Sequence, residues 1–311
     1  ITHFTGGSNF KQFKDSKKMN RIFLSLVFLI LSFFLTSPAI AKSENFISVV
    51  NPVRGADFWD QKSQQPQDAV KGQVEILKQF NIQAAWLIRF DALSDEKILS
   101  ILPNQDEKGL FLEVIPSWSK ETAMEYHKSQ SWHSASSAFL TGYETNEREK
   151  LIDSAFDKFK RVYGVYPKSV GAWWIDSYSL SYMQKKYNIT SALIVADQYS
   201  TDNYQIWGQY FSTPYYPSNN NALHPASNLE NKLPIVITQW ASRDPVNSYG
   251  NGVFESTFSL QANDYLDYHN LETMWVYTYV NNIYILLYGE YVNREPVWVT
   301  FKDKFTYSGL R

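Results

Sequence analysis

The sequence predicts an α/β fold, a parallel (β/α) barrel. Three observations predict it. From Asn45 onward, short apolar runs alternate with segments of helical periodicity. At least six such units follow one another with no internal repeat, which suits a barrel better than a sandwich. Almost every apolar run delivers a charged residue at its end, where parallel barrels carry their active sites.

Ile47–Asn51 reads as the first buried strand. Pro66 opens a helix, with Val70, Val74, Leu77 and Phe80 at helical spacing. Ala84–Arg89 is the second strand, and Ser94 is expected to cap a helix running to Leu102. Leu110–Ile115 is the third strand. A long helix is expected over Asn146–Tyr163, with Leu151, Ile152, Ala155, Phe156, Phe159 and Val162 as its apolar stripe. Acids lie in its first turn, bases in its last, and Gly164 stops it. Val170–Trp174 is the fourth strand, Leu180–Tyr187 a helix, Ala192–Ala196 the fifth strand and Pro234–Gln239 the sixth. The polar stretch from Gln198 to Lys232 is long for a loop in a compact domain, a length associated with function. Toward the C-terminus, Met274–Val280, Ile283–Tyr288 and Val297–Phe301 are all strand-like, and the first is the expected last barrel strand. No capping signal precedes Arg311, which raises the expectation of a barrel truncated at that end.

The N-terminus reads as a leader. Lys17, Lys18 and Arg21 flank Met19, Ile22–Leu35 is apolar, and Ala39-Ile40-Ala41 is a small-x-small cleavage site. The apolar run is shorter than the roughly 20 residues a bilayer span needs. The expected organisation is an upstream extension over 1–18, a signal peptide over 19–41 and a single barrel domain over 42–311, exported and without a stable membrane span. The whole chain of 311 residues has 29 Lys+Arg and 31 Asp+Glu. Five of those bases and one acid lie before residue 42, so the exported part carries a charge near −6. No basic excess points to nucleic acid. The absence of cysteine excludes disulfide scaffolds, thiolate metal sites and cysteine nucleophiles. Aromatic residues reach 16%, and Tyr and Trp, apolar with a polar tip, suit sugar clefts as well as cores.

The strand ends assemble a candidate site. The first is followed by Arg54 and Asp57, the second by Arg89 and Asp91, and the third carries Glu113. The fourth leads through Trp173 and Trp174 to Asp176, the fifth to Asp197, and the sixth to Trp240, Arg243 and Asp244. Glu113, inside an apolar run, is expected to point into the barrel with Phe111 and Ile115 on the opposite face. An unpaired buried charge is costly, so Glu113 is either functional or held by Arg54 or Arg89. Asp176 is either a second acid or the cap of the next helix. Thr213–Pro217 should display Tyr215 and Tyr216. Glu113, Asp176 and Asp57 are the candidate catalytic residues. Arg54, Trp173, Trp174, Asp197, Tyr215, Tyr216, Trp240, Arg243 and Asp244 are the candidate substrate-binding residues. No metal or cofactor is expected: His127, His133, His224 and His269 stand at no metal-ligand spacing, and no phosphate loop, nucleophile elbow or dinucleotide fingerprint occurs.

The order of the Ala84–Arg89 strand, the Glu113 strand, the Gly164-x-x-Pro167-Lys168 lead-in and the strand and helix after it resembles the polysaccharide deacetylases of the glycoside hydrolase/deacetylase superfamily, over residues 46–245. The resemblance implies a distorted (β/α)7 barrel. The family's metal motifs are not retained. Asn51-Pro52-Val53-Arg54 stands where its Thr-Phe-Asp-Asp would be. No His pair follows the third strand, and Gly171-Ala172-Trp173-Trp174 replaces its Arg-x-Pro-Tyr. The expected activity is therefore glycoside hydrolysis of a polysaccharide or envelope glycan by paired carboxylates. The alternatives are a non-catalytic glycan-binding barrel, or a metal-dependent deacetylase using Asp57, Glu113 and a loop histidine.

Overall fold

The computed structural model describes residues 46–57, 65–129, 134–195, 214–240 and 298–302, all within the unit Asn45–Arg311. Seven strands form one sheet: β1 (Phe46–Val53), β2 (Ala85–Arg89), β3 (Glu107–Phe111), β4 (Ser169–Gly171), β5 (Ser191–Val195), β6 (Val236–Trp240) and β7 (Trp298–Lys302). Their order is β6-β5-β4-β3-β2-β1-β7, and every pairing is parallel. The edge strands β6 and β7 come within 8 Å of each other, Cα to Cα, so the sheet curls round as a barrel. The parallel (β/α) barrel expected from the sequence is the fold that forms.

The helices follow from local rules. Helix α1 (Pro66–Gln79) starts with proline at its first turn and buries Val70 and Val74. Helix α2 (Glu96–Leu99) is shorter than expected, and its cap is Asp95, not Ser94: the Asp95 carboxylate accepts from the amides of Lys97 and Ile98. Ser94 instead closes a 3₁₀ turn over Ala92–Ser94. Two short helices follow, α3 (Pro116–Glu121) and α4 (Ala135–Ala138). Helix α5 (Thr145–Tyr163) opens on a capping box between Glu144 and Glu147 and ends at Gly164, whose φ of 77° is left-handed. Helix α6 (Ser177–Tyr187) ends on Asn188, also left-handed. Among the described residues no helix is long and apolar enough to cross a membrane.

The two faces of the sheet sort the core. Trp86, Ile88, Leu110, Leu112, Val170, Ala192 and Ile194 face outward against helices α1, α5 and α6. Val50, Leu87, Phe111, Trp173 and Leu193 fill the barrel interior. Strand periodicity then carries Arg89 and Glu113, two residues beyond Leu87 and Phe111, to the top of that interior. Glu113 is past the end of β3, not within it. Phe111 shares its side, while Leu112 and Val114 take the outer one. Ile115 alone lies outside as expected, because the chain has by then turned into helix α3.

Among the described C-terminal residues, β7 joins the barrel and pairs with β1 from Phe46↔Trp298 to Val50↔Lys302. Met274–Val280 and Ile283–Tyr288 lie outside the described residues.

Candidate functional site

At the carboxyl ends of the strands, Glu113 joins three elements. Its Oε1 accepts from Arg54 Nε at 2.9 Å and Arg89 Nη1 at 2.7 Å; its Oε2 accepts from Arg54 Nη2 at 2.7 Å and Trp173 Nε1 at 2.9 Å. All four lone-pair positions of the carboxylate are therefore used. The side chain is 1% exposed. Burial pushes its pKa up, but the charge and hydrogen bonds of Arg54, then the charge of Arg89 and the Trp173 indole, outweigh that and hold it well below the usual carboxylate range. Sequence reasoning leaves Arg54 and Arg89 as alternative partners, and both are engaged. A carboxylate so held has no proton to give to a leaving group and no free edge to attack a sugar. Of the two readings of Glu113, catalytic carboxylate or ion-pair partner of Arg54 or Arg89, the geometry favours the second.

Arg89, wholly buried, also binds Asp91 through a fork, Nε to Oδ1 and Nη2 to Oδ2, both at 2.8 Å. The same Nη2 donates to the carbonyls of Gly55 at 3.3 Å and Asp57 at 3.1 Å. In return the Asp57 amide donates to Asp91 Oδ2 at 3.0 Å. Burial raises the Asp91 pKa, but Arg89 and the amides of Asp57 and Gly55 more than offset it, so Asp91 stays ionised. The turn after β1 is thus fastened to the end of β2 by its own backbone.

That turn presents the Asp57 carboxylate to a cleft of about 910 Å³, lined by Asp57, Asp91, Asp95, Ser117, Glu121 and Lys158 among others. Asp57 Oδ2 accepts from the Ser117 amide at 2.9 Å, at the start of α3. Among the described residues no donor reaches its Oδ1. Lys158 reaches Glu121 at 3.2 Å on the far wall. The Tyr126 hydroxyl lies within range of the Glu113, Arg89 and Asp57 charges. Burial first, then its neighbours Tyr143 and Glu113, raise its pKa above the usual phenol range, so it remains a hydrogen-bond donor.

The other expected residues divide sharply. Asp176 caps α6, accepting from the Ser179 amide at 3.0 Å, and pairs with Arg148 at 3.2 Å. Trp173 is 0% exposed and meets Phe111 edge-on. Its ring faces are covered by protein, which corrects its expected role as a sugar platform. Tyr215 is corrected likewise: it is buried, with its hydroxyl donating to the Ala222 carbonyl at 2.8 Å. Tyr216 is exposed, with Lys232 Nζ 4.5 Å from its ring centre, and Trp174 is half-buried against both cores. Asp197, Arg243 and Asp244 lie outside the described residues, as does the side chain of Trp240. Ser117 belongs to the site although nothing in the sequence selects it, and Asp91, noted at the end of the second strand but given no role, belongs to it as well. The Arg89-x-Asp91 spacing, which puts both side chains on one face of an extended segment, is the available signal for the latter.

The metal-dependent alternative fits these residues poorly. A cation at Glu113 would find every acceptor position taken and two guanidinium groups beside it. Among the described residues, no group of three or more His, Asp and Glu side chains is placed to hold a metal ion.

Gly55 is required by this packing. A Cβ there would lie 2.5 Å from Asp91 Oδ2 and 3.1 Å from the Ala92 amide nitrogen. Gly55→Ala is expected to cost about 1–3 kcal/mol by overpacking, measured as a lower urea midpoint with unchanged slope.

The comparisons with known proteins agree with the geometry at the level of fold. A crystal structure of a protein assigned as a glycoside hydrolase/deacetylase from Parabacteroides distasonis superposes with a TM-score of 0.59 at 15% identity, over 86% of this chain and 63% of that one. The chain thus spans under two thirds of that structure's length. A protein assigned as a polysaccharide deacetylase from Mycobacterium smegmatis gives a TM-score of 0.49 at 13% identity, over 85% of this chain and 78% of that one. No curated protein sequence matches. The likeness to the first of these is one of fold. A family described as "Domain of Unknown Function with solved-structure structure (DUF3863)" matches residues 122–283, just over half of the sequence, and the chain belongs to that family.

Proposed function

We propose that this chain is an exported, carbohydrate-acting barrel that hydrolyses glycosidic bonds in a polysaccharide or envelope glycan, with Asp57 as one of its two working carboxylates. The observation that carries this reading is the Asp57 side chain. It is anchored through one oxygen to the Ser117 amide, no donor among the described residues reaches its other oxygen, and the residue lines a cleft on the carboxyl rim of the barrel. Glycoside hydrolysis needs a second carboxylate. The saturated hydrogen bonding of Glu113 tells against it in that role. The partner is sought at Asp176, or at Asp197 and Asp244, which follow β5 and β6 in the sequence. The names of the structural neighbours, glycoside hydrolase/deacetylase and polysaccharide deacetylase, support a glycan as substrate. The leader-like segment over residues 19–41 supports export.

The test is product analysis with purified peptidoglycan, chitin oligosaccharides and a neutral β-glucan. Hydrolysis releases new reducing ends, and deacetylation releases acetate with the chain length intact. New reducing ends that disappear in Asp57→Asn are the expected result. Acetate without reducing ends would replace this reading with a deacetylase. Binding without either product would replace it with a glycan-binding barrel.

A further inference from the structure

We infer that Arg89 and Asp91 form a positioning pair that sets where the Asp57 carboxylate stands in the cleft; this rests on the reading of Asp57 given above. Neither residue needs to touch a substrate. Arg89 is 0% exposed and the Asp91 side chain 11%. What they touch is the main chain of the Gly55–Asp57 turn, from both of its polar sides. Arg89 Nη2 donates to the two carbonyls at 3.3 and 3.1 Å, and Asp91 Oδ2 accepts the Asp57 amide at 3.0 Å. The Gly55 amide also faces Asp91.

A turn held by its backbone leaves the Asp57 side chain free for other work. One oxygen of that side chain goes to the Ser117 amide on helix α3. The carboxylate is therefore fixed from two strands and one helix without using its outer oxygen. Glu113 completes the frame: it binds the remaining side of Arg89 at 2.7 Å and ties β3 to the same guanidinium. The fork of Arg89 fits this role and an ammonium does not. Its planar N–H groups serve Asp91, Glu113 and two carbonyls at once, whereas a lysine would offer one nitrogen. A similar ionised pair with no contact to the β1 turn would be structural only. Here three hydrogen bonds run to the turn that bears the acid.

The test is a double-mutant cycle on the full chain, read with the chitin oligosaccharide or glucan that the parent cleaves, at a temperature far below the melting transition. Asp91→Asn removes one of the two charges that answer Arg89. Asp91→Glu keeps that charge but moves it outward by one carbon, so that folding and geometry are separated. Both variants are expected to lose about tenfold or more in kcat, since misplacing a catalytic group by about 1 Å can cost on the order of 10²-fold. Affinity for the same oligosaccharide should stay within about twofold. The Gly55 and Asp57 amides should exchange hydrogen faster than in the parent.

The decisive reading is the double variant Asp57→Asn/Asp91→Asn. Acting through Asp57, Asp91→Asn adds nothing once the Asp57 carboxylate is already an amide. A double variant slower than Asp57→Asn by the full single-variant factor would overturn the inference, as would parent-like kcat in both Asp91 variants. Asp106→Asn serves as control: Asp106 is buried at the opposite end of the barrel, accepting from Trp86 Nε1 at 2.8 Å, and its loss should lower stability without changing kcat. Full turnover by Asp57→Asn alone is a different signature. It would overturn the hydrolytic reading of Asp57, and the positioning role with it.

Discussion

Glu113→Gln is expected to destabilise the protein by about 3–5 kcal/mol, the range seen when one partner of a buried ion pair is removed. The substitution preserves shape and volume, so the loss comes from charge and hydrogen bonding alone. A glutamine amide must place its NH₂ group at one of the two oxygen positions. At the first it meets Arg54 Nε and Arg89 Nη1, and at the second Arg54 Nη2 and Trp173 Nε1. Every one of these is a donor, so no flip of the amide satisfies it. Arg54, half-buried, is left with a charge that no other carboxylate among the described residues answers; Arg89 keeps Asp91.

The same carboxylate gives the effect a pH signature. Its folded pKa lies below its ordinary value of 4.5. A depressed pKa contributes stability that is fully present above the ordinary value and lost as pH falls toward the folded one. Below pH 4.5 the unfolded chain takes up a proton that the native state refuses, at about 1.4 kcal/mol per pH unit. Parent stability should therefore be level with respect to this group above about pH 5 and fall beneath it. The amide of the Glu113→Gln variant does not titrate, so the gap between parent and variant should narrow between about pH 5 and about pH 3. Urea denaturation across that range, with neutral pH as reference, measures it. A gap independent of pH would show that the pair is not what stabilises the rim.

How much of this is legible in the sequence differs from residue to residue. The long helix is, because Leu151, Ile152, Ala155, Phe156 and Phe159 recur at its period and all are buried in the structure. The need of Glu113 for a partner is legible from the cost of burying a charge, and Arg54 and Arg89 can be named. That both bind at once is not, since it depends on the stagger of β1, β2 and β3, which no local pattern encodes. Trp173 misleads for a related reason. Beside an acid at a strand end it looks like a sugar platform, but Val170 and Ala172 point outward, which turns Trp173 into the packed interior. Tyr215 is lost to a pairing invisible in sequence, its bridge to Ile237 on β6. The C-terminal strand is not legible: three aromatic, β-branched runs share one composition, and that Trp298–Lys302 pairs with β1 is set by contacts distant in sequence. The Gly55–Asp91 approach needs three dimensions altogether.

Asp57→Asn is expected to reduce glycan hydrolysis by about 10²–10⁴-fold, the usual range for losing a general acid or base. The substitution is well suited to the question. Asparagine keeps an oxygen to accept from the Ser117 amide, and the backbone contacts to Arg89 and Asp91 do not involve the side chain at all. The fold and the cleft should therefore survive, with the melting temperature within a few degrees of the parent. What is removed is the capacity of the outer oxygen to exchange a proton or to stabilise positive charge at the anomeric carbon. Affinity for an uncleaved oligosaccharide should change little, because a neutral amide of the same size still lines the cleft. The expected outcome is thus a fall in kcat with KM nearly constant, the pattern of an interaction made in the transition state. A rise in KM at constant kcat would make Asp57 a binding residue and move the chemistry to the other rim carboxylates. Asp176→Asn, Asp197→Asn and Asp244→Asn should then be compared in the same assay. Asp176→Asn keeps an oxygen to cap helix α6 and loses only the ion pair with Arg148, so its cost in stability should be small, about 0–1 kcal/mol. A catalytic partner at Asp197 or Asp244 would reveal itself by a kcat loss as deep as that of Asp57→Asn.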